Sequence, residues 1–255
     1  MTPDLISPDL KTVLRRLNLS RMLDTRPERL SLARQQPLAD QDFLLIALGD
    51  EAARRDALTV TTRVLRAHLD PSMDLDAWAP TANVTFDRTL LNDLASLRFL
   101  EAHAPVAIVG PVGVGKTFLA HALGHAACRR GHSVLALRAD RMLKTLKHAR
   151  LDTRDAVELR KCLAVDLLIL DDVALDSMDA AESRDTDDLL TQRHRAGSIL
   201  VTSNRGPDEG LATFADPVRA PSAIDRFTSK AYDLLIDGES YRSRQKPGRH
   251  LGGRP

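Results

Sequence analysis

A continuous run of residues, 110–117, has the types and spacing of a phosphate-binding loop, G-x-x-x-x-G-K-[ST]. Glycines let backbone N–H groups turn inward around phosphates, and a helix that follows adds its positive N-terminal end. Lys116 can then reach the β- and γ-phosphates, while the Thr117 hydroxyl can bind Mg²⁺. An ordinary glycine turn would not need these two side chains, so the sequence predicts a nucleoside triphosphate site. The predicted nucleotide-binding residues are Gly110, Pro111, Val112, Gly113, Val114, Gly115, Lys116, Thr117 and Phe118.

Two adjacent acids, Asp171 and Asp172, directly follow the apolar run 167–170. Parallel sheets place their ligands at the carboxyl ends of the strands. We therefore expect Asp171 to hold Mg²⁺ through water, together with Thr117, and Asp172 to orient or deprotonate an attacking water. The bound cation would offset the repulsion between the two carboxylates. This pattern, a Walker B strand, favours hydrolysis of the bound nucleotide.

Asn204 and Arg226 are the other candidate catalytic residues. The amide of Asn204, after the strand-like run 198–203, could position the hydrolytic water, although asparagine is also frequent in plain strand-to-loop turns. Arg226 follows a predicted short helix, and its position resembles that of the arginine finger that AAA+ proteins present to the nucleotide of a neighbouring subunit, a role worth several orders of magnitude in rate. The alternative for Arg226 is an ion pair with an acid such as Asp225. The predicted catalytic residues are Lys116, Asp172, Asn204 and Arg226.

Short apolar runs alternate with helical segments through the central and C-terminal parts of the chain. This alternation predicts a parallel sheet covered by helices on both faces. We therefore expect an α/β fold of the P-loop NTPase type, with a parallel five-stranded sheet, over residues 81–241. Residues 86–103 are predicted to form one or two helices ahead of the first strand. The predicted strands are residues 106–109, 134–137, 167–170, 199–202 and 233–236.

Residues 1–80 lack strand alternation and are predicted to form a small all-α domain that binds DNA or a partner. Apolar residues at helical spacing indicate a first helix near residues 8–17 and a longer one over about 40–68. Residues 71–83, which contain Pro71 and Pro80, are predicted to form a linker, since proline disfavours helix in the residue before it.

Charge is arranged in blocks that the formal net charge of +1 conceals. Residues 129–161 contain ten bases and four acids, whereas residues 163–191 contain nine acids and one base. Lysine and arginine residues spaced three apart along a predicted helix lie on one face that winds slowly around the helix axis. Such a face is suited to contact with DNA phosphates that is largely independent of sequence. A solvated basic face is the alternative. The predicted DNA contacts are Arg138, Arg141, Lys144, Lys147 and Arg150.

The ends of the chain and its two cysteines carry little chemistry. Residues 242–255 are predicted to be a basic, disordered tail, and only 29 residues follow Arg226, too few for a complete C-terminal helical lid. The sequence shows no signal peptide and no apolar run near the roughly 20 residues of a membrane span. Cys128 and Cys162 lack metal-ligand spacing, so we expect reduced thiols in a cytoplasmic protein without a membrane partner.

Together these motifs resemble the IstB family, the helper ATPases of bacterial insertion sequences, which are relatives of DnaC-type helicase loaders. The resemblance runs from about Leu14 to Arg244 and implies an AAA+ domain that binds ATP and Mg²⁺. It also implies a homo-oligomer with ATP sites between subunits, assembled on duplex DNA, which assists a cognate transposase. The segments that carry it are residues 110–117, 168–172, 201–204, 215–217, 224–226 and 238–242.

Two departures from the AAA+ pattern leave other functions open. Many AAA+ proteins have glutamate where this chain has Asp172, one methylene shorter, so a scaffold that binds ATP without turnover is one alternative. The short C-terminus leaves Arg242 without an assigned role. A helicase loader acting with single-stranded DNA would share the ATP-site motifs. A small-molecule kinase would need an acceptor pocket and an arginine-rich lid, and the sequence identifies neither.

Overall fold

The computed structural model describes residues 7–24, 39–78, 84–173, 178–206, 225 and 227–241. The chain forms two compact units, divided between Thr62 and Arg63. Arg226 and residues 242–255 lie outside the described residues. Three predictions therefore concern residues outside the described part of the chain and stay predictions. They are the role of Arg226 as an arginine finger, the lack of a complete helical lid and the disordered tail.

The described residues of the first unit are mainly helical. Helix α1, Pro8–Arg16, begins after Ser7, whose hydroxyl accepts a hydrogen bond from a backbone N–H of the first turn at 3.2 Å. Proline suits the first helical position because its missing N–H would have no partner there. Helix α2, Asp40–Arg66, contains the division between the two units. A small buried core of the first unit consists of Leu14, Met22 and Ala47.

A six-stranded sheet forms the centre of the second unit. Its strands are β1 Val84–Phe86, β2 Val106–Val109, β3 Val134–Arg138, β4 Leu167–Asp171, β5 Ser198–Ser203 and β6 Tyr232–Gly238. Their order is β1-β6-β2-β5-β4-β3, with β1 antiparallel to β6 and every other pair parallel. The predicted α/β fold with five parallel strands is confirmed, with one strand added at an edge.

The additional strand, β1, begins where the predicted linker ends. Its three residues are too few to show an alternation of apolar and polar side chains. It forms because β6 has backbone groups to pair at the edge of the sheet, where Val84 lies opposite Gly238 and Phe86 opposite Ile236. The segment predicted to be wholly helical from residue 86 therefore starts with the last residue of a strand.

Helices pack against the sheet and against one another. They are α3 Arg88–Ala95, α4 Arg98–Glu101, α5 Lys116–Arg129, α6 Ala139–Leu151, α7 Asp155–Leu163 and α8 Ala180–Ala196. Every residue of β4 is buried, as expected for a central strand of a parallel sheet. None of the described helices is both long and apolar enough to span a membrane. Cys128 and Cys162 are buried free thiols, and burial raises the pKa of both.

Candidate nucleotide site

The predicted site residues meet at one edge of the sheet. The phosphate loop follows β2, Asp171 ends β4, and Asn204 follows β5. Strand β5 pairs in parallel with both β2 and β4, so the carboxyl ends of these three strands lie side by side. The geometry therefore brings Lys116, Thr117, Asp171, Asp172 and Asn204 together.

The phosphate loop needs glycine at two of its positions. Gly113 and Gly115 have φ angles of 86° and 102°, in the left-handed region that side chains disfavour. Gly115 is also the residue before α5 and has no side chain that could cap the helix. The N-terminus of α5 thus has no side-chain cap, and its positive end suits an anion, as at other helix N-termini that bind phosphate.

Lys116 is buried and fixed by three acceptors. Its ammonium donates to the carbonyl oxygens of Gly110 at 2.8 Å and Pro111 at 2.7 Å, and to Oδ1 of Asn204 at 2.5 Å. A buried charge is costly without such partners. The contact with Asn204 joins the loop after β2 to the end of β5, at the place where phosphate oxygens would compete for the ammonium.

Asp171 lies among hydroxyl groups. Thr117 donates to its two carboxylate oxygens at 2.9 and 3.1 Å, and the Thr202 hydroxyl donates to Oδ1. A hydroxyl beside a buried carboxylate provides the hard oxygen ligands that Mg²⁺ prefers, with water and phosphates completing its shell. The residues therefore fit a magnesium ion held by Thr117 and Asp171. No cluster of three or more acidic, histidine or cysteine side chains suited to a metal occurs among the described residues.

Asp172 has a left-handed backbone, with φ of 59°, and its N–H donates to the Thr202 hydroxyl at 2.9 Å. Its Oδ2 lies 3.5 Å from Nη1 of Arg138, at the end of β3. The same guanidinium donates from Nε to Asp140 at 3.0 Å, and this hydrogen bond is the main cause of the raised pKa of Arg138. Arg138, which the sequence predicts to contact DNA, thus lies beside the predicted water-activating carboxylate.

The other predicted DNA contacts lie on α6, and several of them pair with acids. Lys144 lies 3.6 Å from Asp140, Lys147 donates to Asp179 at 2.8 Å, and Arg150 pairs with Asp185. Arg141 is exposed, and none of its contacts within the described residues is an ion pair. The acidic partners at 179 and 185 belong to the acidic block of the sequence, so the two charge blocks partly neutralise each other.

Trp78 is a site residue that the sequence analysis missed. Its ring lies against Gly115, where a Cβ atom would be 2.4 Å from the indole, and it packs on Phe118 with ring centroids 5.2 Å apart. The chain ahead of it is fixed to α5, since the N–H of Asp70 donates to Nδ1 of His121 at 3.0 Å. Trp78 lies in the predicted linker, where no periodicity marked it.

Ser240 and Tyr241 also contact the phosphate loop. A Cβ atom on Gly113 would lie 2.1 Å from the Ser240 hydroxyl oxygen, and the N–H of Tyr241 donates to the Gly113 carbonyl at 2.9 Å. Both belong to the segment 238–242 that carries the family resemblance. The resemblance singled out this segment without indicating its contact.

A sequence model described as IstB-like ATP binding protein matches residues 12–248. The chain belongs to this IstB-like family. An insertion-sequence ATP-binding protein of Mycobacterium tuberculosis is 39% identical to it over 243 residues, which covers 95% of this chain and 97% of that relative. The ATP-binding protein of insertion sequence IS21 from Pseudomonas aeruginosa is 33% identical over 238 residues, which covers 93% of this chain and 90% of that relative.

Solved structures show where the IstB-like fold belongs. The DnaC helicase loader matches with a TM-score of 0.57 at 19% identity, over 65% of this chain and 97% of the loader. At that identity the similarity concerns the α/β fold alone. The chain is thus a member of an IstB-like ATP-binding family with a fold similar to that of the loader.

Proposed function

We propose that this IstB-like protein is a Mg²⁺-dependent ATPase that assembles on duplex DNA and assists a transposase. The observation that carries the proposal is the meeting of Lys116, Thr117, Asp171, Asp172 and Asn204 at one edge of the sheet. Relatives named for insertion sequences support the transposase partner. The basic residues of α6 support a nucleic-acid partner.

The hydrolytic step follows from the chemistry of these side chains. Lys116 exchanges its loop carbonyls for the β- and γ-phosphates, and Thr117 and Asp171 hold the cation, which neutralises phosphate charge when bound. Asp172 orients or deprotonates the water, and the amide of Asn204 positions it for in-line attack. Arg226 of a neighbouring copy then stabilises the charge that develops on the γ-phosphate. This last role is the reason for an oligomer with ATP sites between subunits.

Binding to DNA requires the basic side chains of α6 to exchange their acidic partners for DNA phosphates. Lys144 and Lys147 are paired with acids through exposed side chains, and such exposed pairs contribute little to stability. The phosphates of duplex DNA can therefore displace the acids at little cost. None of these contacts distinguishes bases, so the proposed binding is largely independent of DNA sequence.

The proposal is tested by steady-state ATP hydrolysis without DNA, with random duplex and with single strands, at one fixed salt concentration because phosphate contacts depend on salt. We expect duplex DNA to stimulate turnover and Lys116→Ala to abolish it. Circular dichroism of the variant controls for folding, since Lys116 is buried among three acceptors.

The other outcomes separate the alternatives. Stimulation by single strands alone would favour a helicase loader over a transposition helper. Indifference to all DNA would contradict the proposed assembly on duplex. ATP binding without turnover under every condition would identify a scaffold. Asp172→Glu, which restores the longer side chain of many AAA+ proteins, would then be the first variant to assay.

A further inference from the structure

The segment that follows β6 lies against the phosphate loop. Strands β6 and β2 are parallel neighbours, with Leu235 opposite Val109, so the chains leaving them continue side by side. We define residues 239–241 as the strap. Ser240 lies so close to Gly113 that an added Cβ would be 2.1 Å from its hydroxyl oxygen, and the N–H of Tyr241 donates to the Gly113 carbonyl at 2.9 Å.

The hydrogen bond from the strap fixes the direction of one peptide group in the loop. In a planar trans peptide the C=O and the next N–H point in opposite directions. Because the Gly113 carbonyl is held toward Tyr241, the N–H of Val114 is directed away from the strap. Gly113 has a φ of 86°, so other orientations of this peptide are accessible to it. The strap selects one of them.

The start of the loop is supported by the same element. A Cβ atom on Gly110 would lie 2.0 Å from the carbonyl oxygen of Ile236, in β6 itself. Contacts from β6 and the strap therefore reach the loop at both Gly110 and Gly113, on the side away from Asp171 in the order of strands. A loop held at two positions loses less conformational entropy when a ligand binds.

We infer that Ser240 and the backbone N–H of Tyr241 are positioning groups for the polyphosphate chain of the nucleotide. They hold the Gly113–Val114 peptide with its N–H available to a phosphate oxygen. The inference rests on the ATP site of the proposed function and needs neither DNA nor a transposase. By linkage, a bound polyphosphate must stabilise the strap as much as the strap stabilises the bound polyphosphate.

The test compares two substitutions at one position. Tyr241→Pro removes the N–H, whereas Tyr241→Ala keeps it and removes the same aromatic ring. We expect Tyr241→Pro to bind a non-hydrolysable ATP analogue about tenfold more weakly than Tyr241→Ala, as for loss of one hydrogen bond. Hydrolysis at saturating ATP should change less than KM does, and the two thermal midpoints should agree.

Hydrogen exchange of the wild-type protein gives a readout that does not depend on proline. The Tyr241 amide should exchange more slowly when the ATP analogue is bound. Equal affinities of the two variants, or a Tyr241 amide indifferent to the analogue, would overturn the inference while leaving the ATP site in place. Analogue binding that survives Lys116→Ala unchanged would instead contradict the ATP site itself, and with it the inference.

Discussion

At the scale of single residues, Arg138 and Asp172 form the contact with the clearest chemical consequence. A water-activating carboxylate needs a free oxygen, and one oxygen of Asp172 lies 3.5 Å from the Arg138 guanidinium. Arg138 therefore opposes the role proposed for Asp172 for as long as the pair persists.

We expect Arg138→Ala to raise DNA-free ATP turnover without changing ATP affinity. Arg138 is exposed, Asp172 is half-buried, and a pair 3.5 Å apart of this kind contributes about 1 kcal/mol, so the rise should not exceed about fivefold. The measurement is kcat and KM at saturating Mg²⁺. Arg160→Ala, on α7, removes the same charge from an exposed residue and should leave both constants unchanged. A fall in kcat for Arg138→Ala would show that the guanidinium orients Asp172.

At the scale of elements, a fully buried arginine joins the helices to the sheet. Arg193 of α8 donates to the carbonyl oxygens of Cys162 at 2.7 Å and Val165 at 3.1 Å, and also to those of Asp166 and Ser198. It therefore satisfies backbone groups near the end of α7 and the start of β5. Burial lowers the pKa of Arg193 to about 10, and the guanidinium remains charged at neutral pH.

Replacing Arg193 should destabilise the protein strongly. Arg193→Met fills similar space but removes the donor from the carbonyls of Cys162 and Val165, and a buried carbonyl left without a donor costs about 1–3 kcal/mol. We expect a loss of at least about 3 kcal/mol in the free energy of unfolding, measured with urea. Arg184→Met, at an exposed position of the same helix, should change it by less than about 0.5 kcal/mol. Equal effects of the two would mean that the buried hydrogen bonds add nothing net.

At the scale of the whole molecule, the basic and acidic blocks of the sequence face each other across α6 and α8. Arg150 pairs with Asp185, and Lys147 with Asp179. Any DNA that binds α6 therefore competes with acids of the same chain. Under the proposed function, the affinity for DNA depends on how tightly the acids of α8 hold the basic side chains of α6.

Removing one internal acid should strengthen binding to duplex DNA. Asp185→Asn removes one of the two acidic partners of Arg150, the other being Asp155, and we expect a gain of up to about fivefold in affinity for random duplex at fixed salt. Asp188→Asn makes the same charge change at an exposed position of α8 and should have a smaller effect. If both variants gain equally, long-range repulsion rather than the ion pair limits binding.

The local parts of the fold and site were predictable, and the contacts between distant segments were not. The phosphate loop and the acids 171–172 are contiguous patterns whose backbone chemistry is set within a few residues. The five parallel strands are apolar because they are buried on both faces. In contrast, β1 exists only through β6, and Trp78 and Ser240 reach the loop from far along the chain. The ion pairs made by the basic side chains of α6 depend on how α8 packs against α6. The spacing of residues along the sequence does not show that packing.

Trp78 has a practical consequence, because the chain contains one tryptophan. Its indole touches Gly115 and Phe118 at the end of the phosphate loop. Intrinsic fluorescence excited at the tryptophan band therefore comes from a single chromophore at the candidate ATP site, with no other indole to dilute the signal. Nucleotide occupancy and its kinetics can be followed in the unlabelled protein by emission intensity and wavelength.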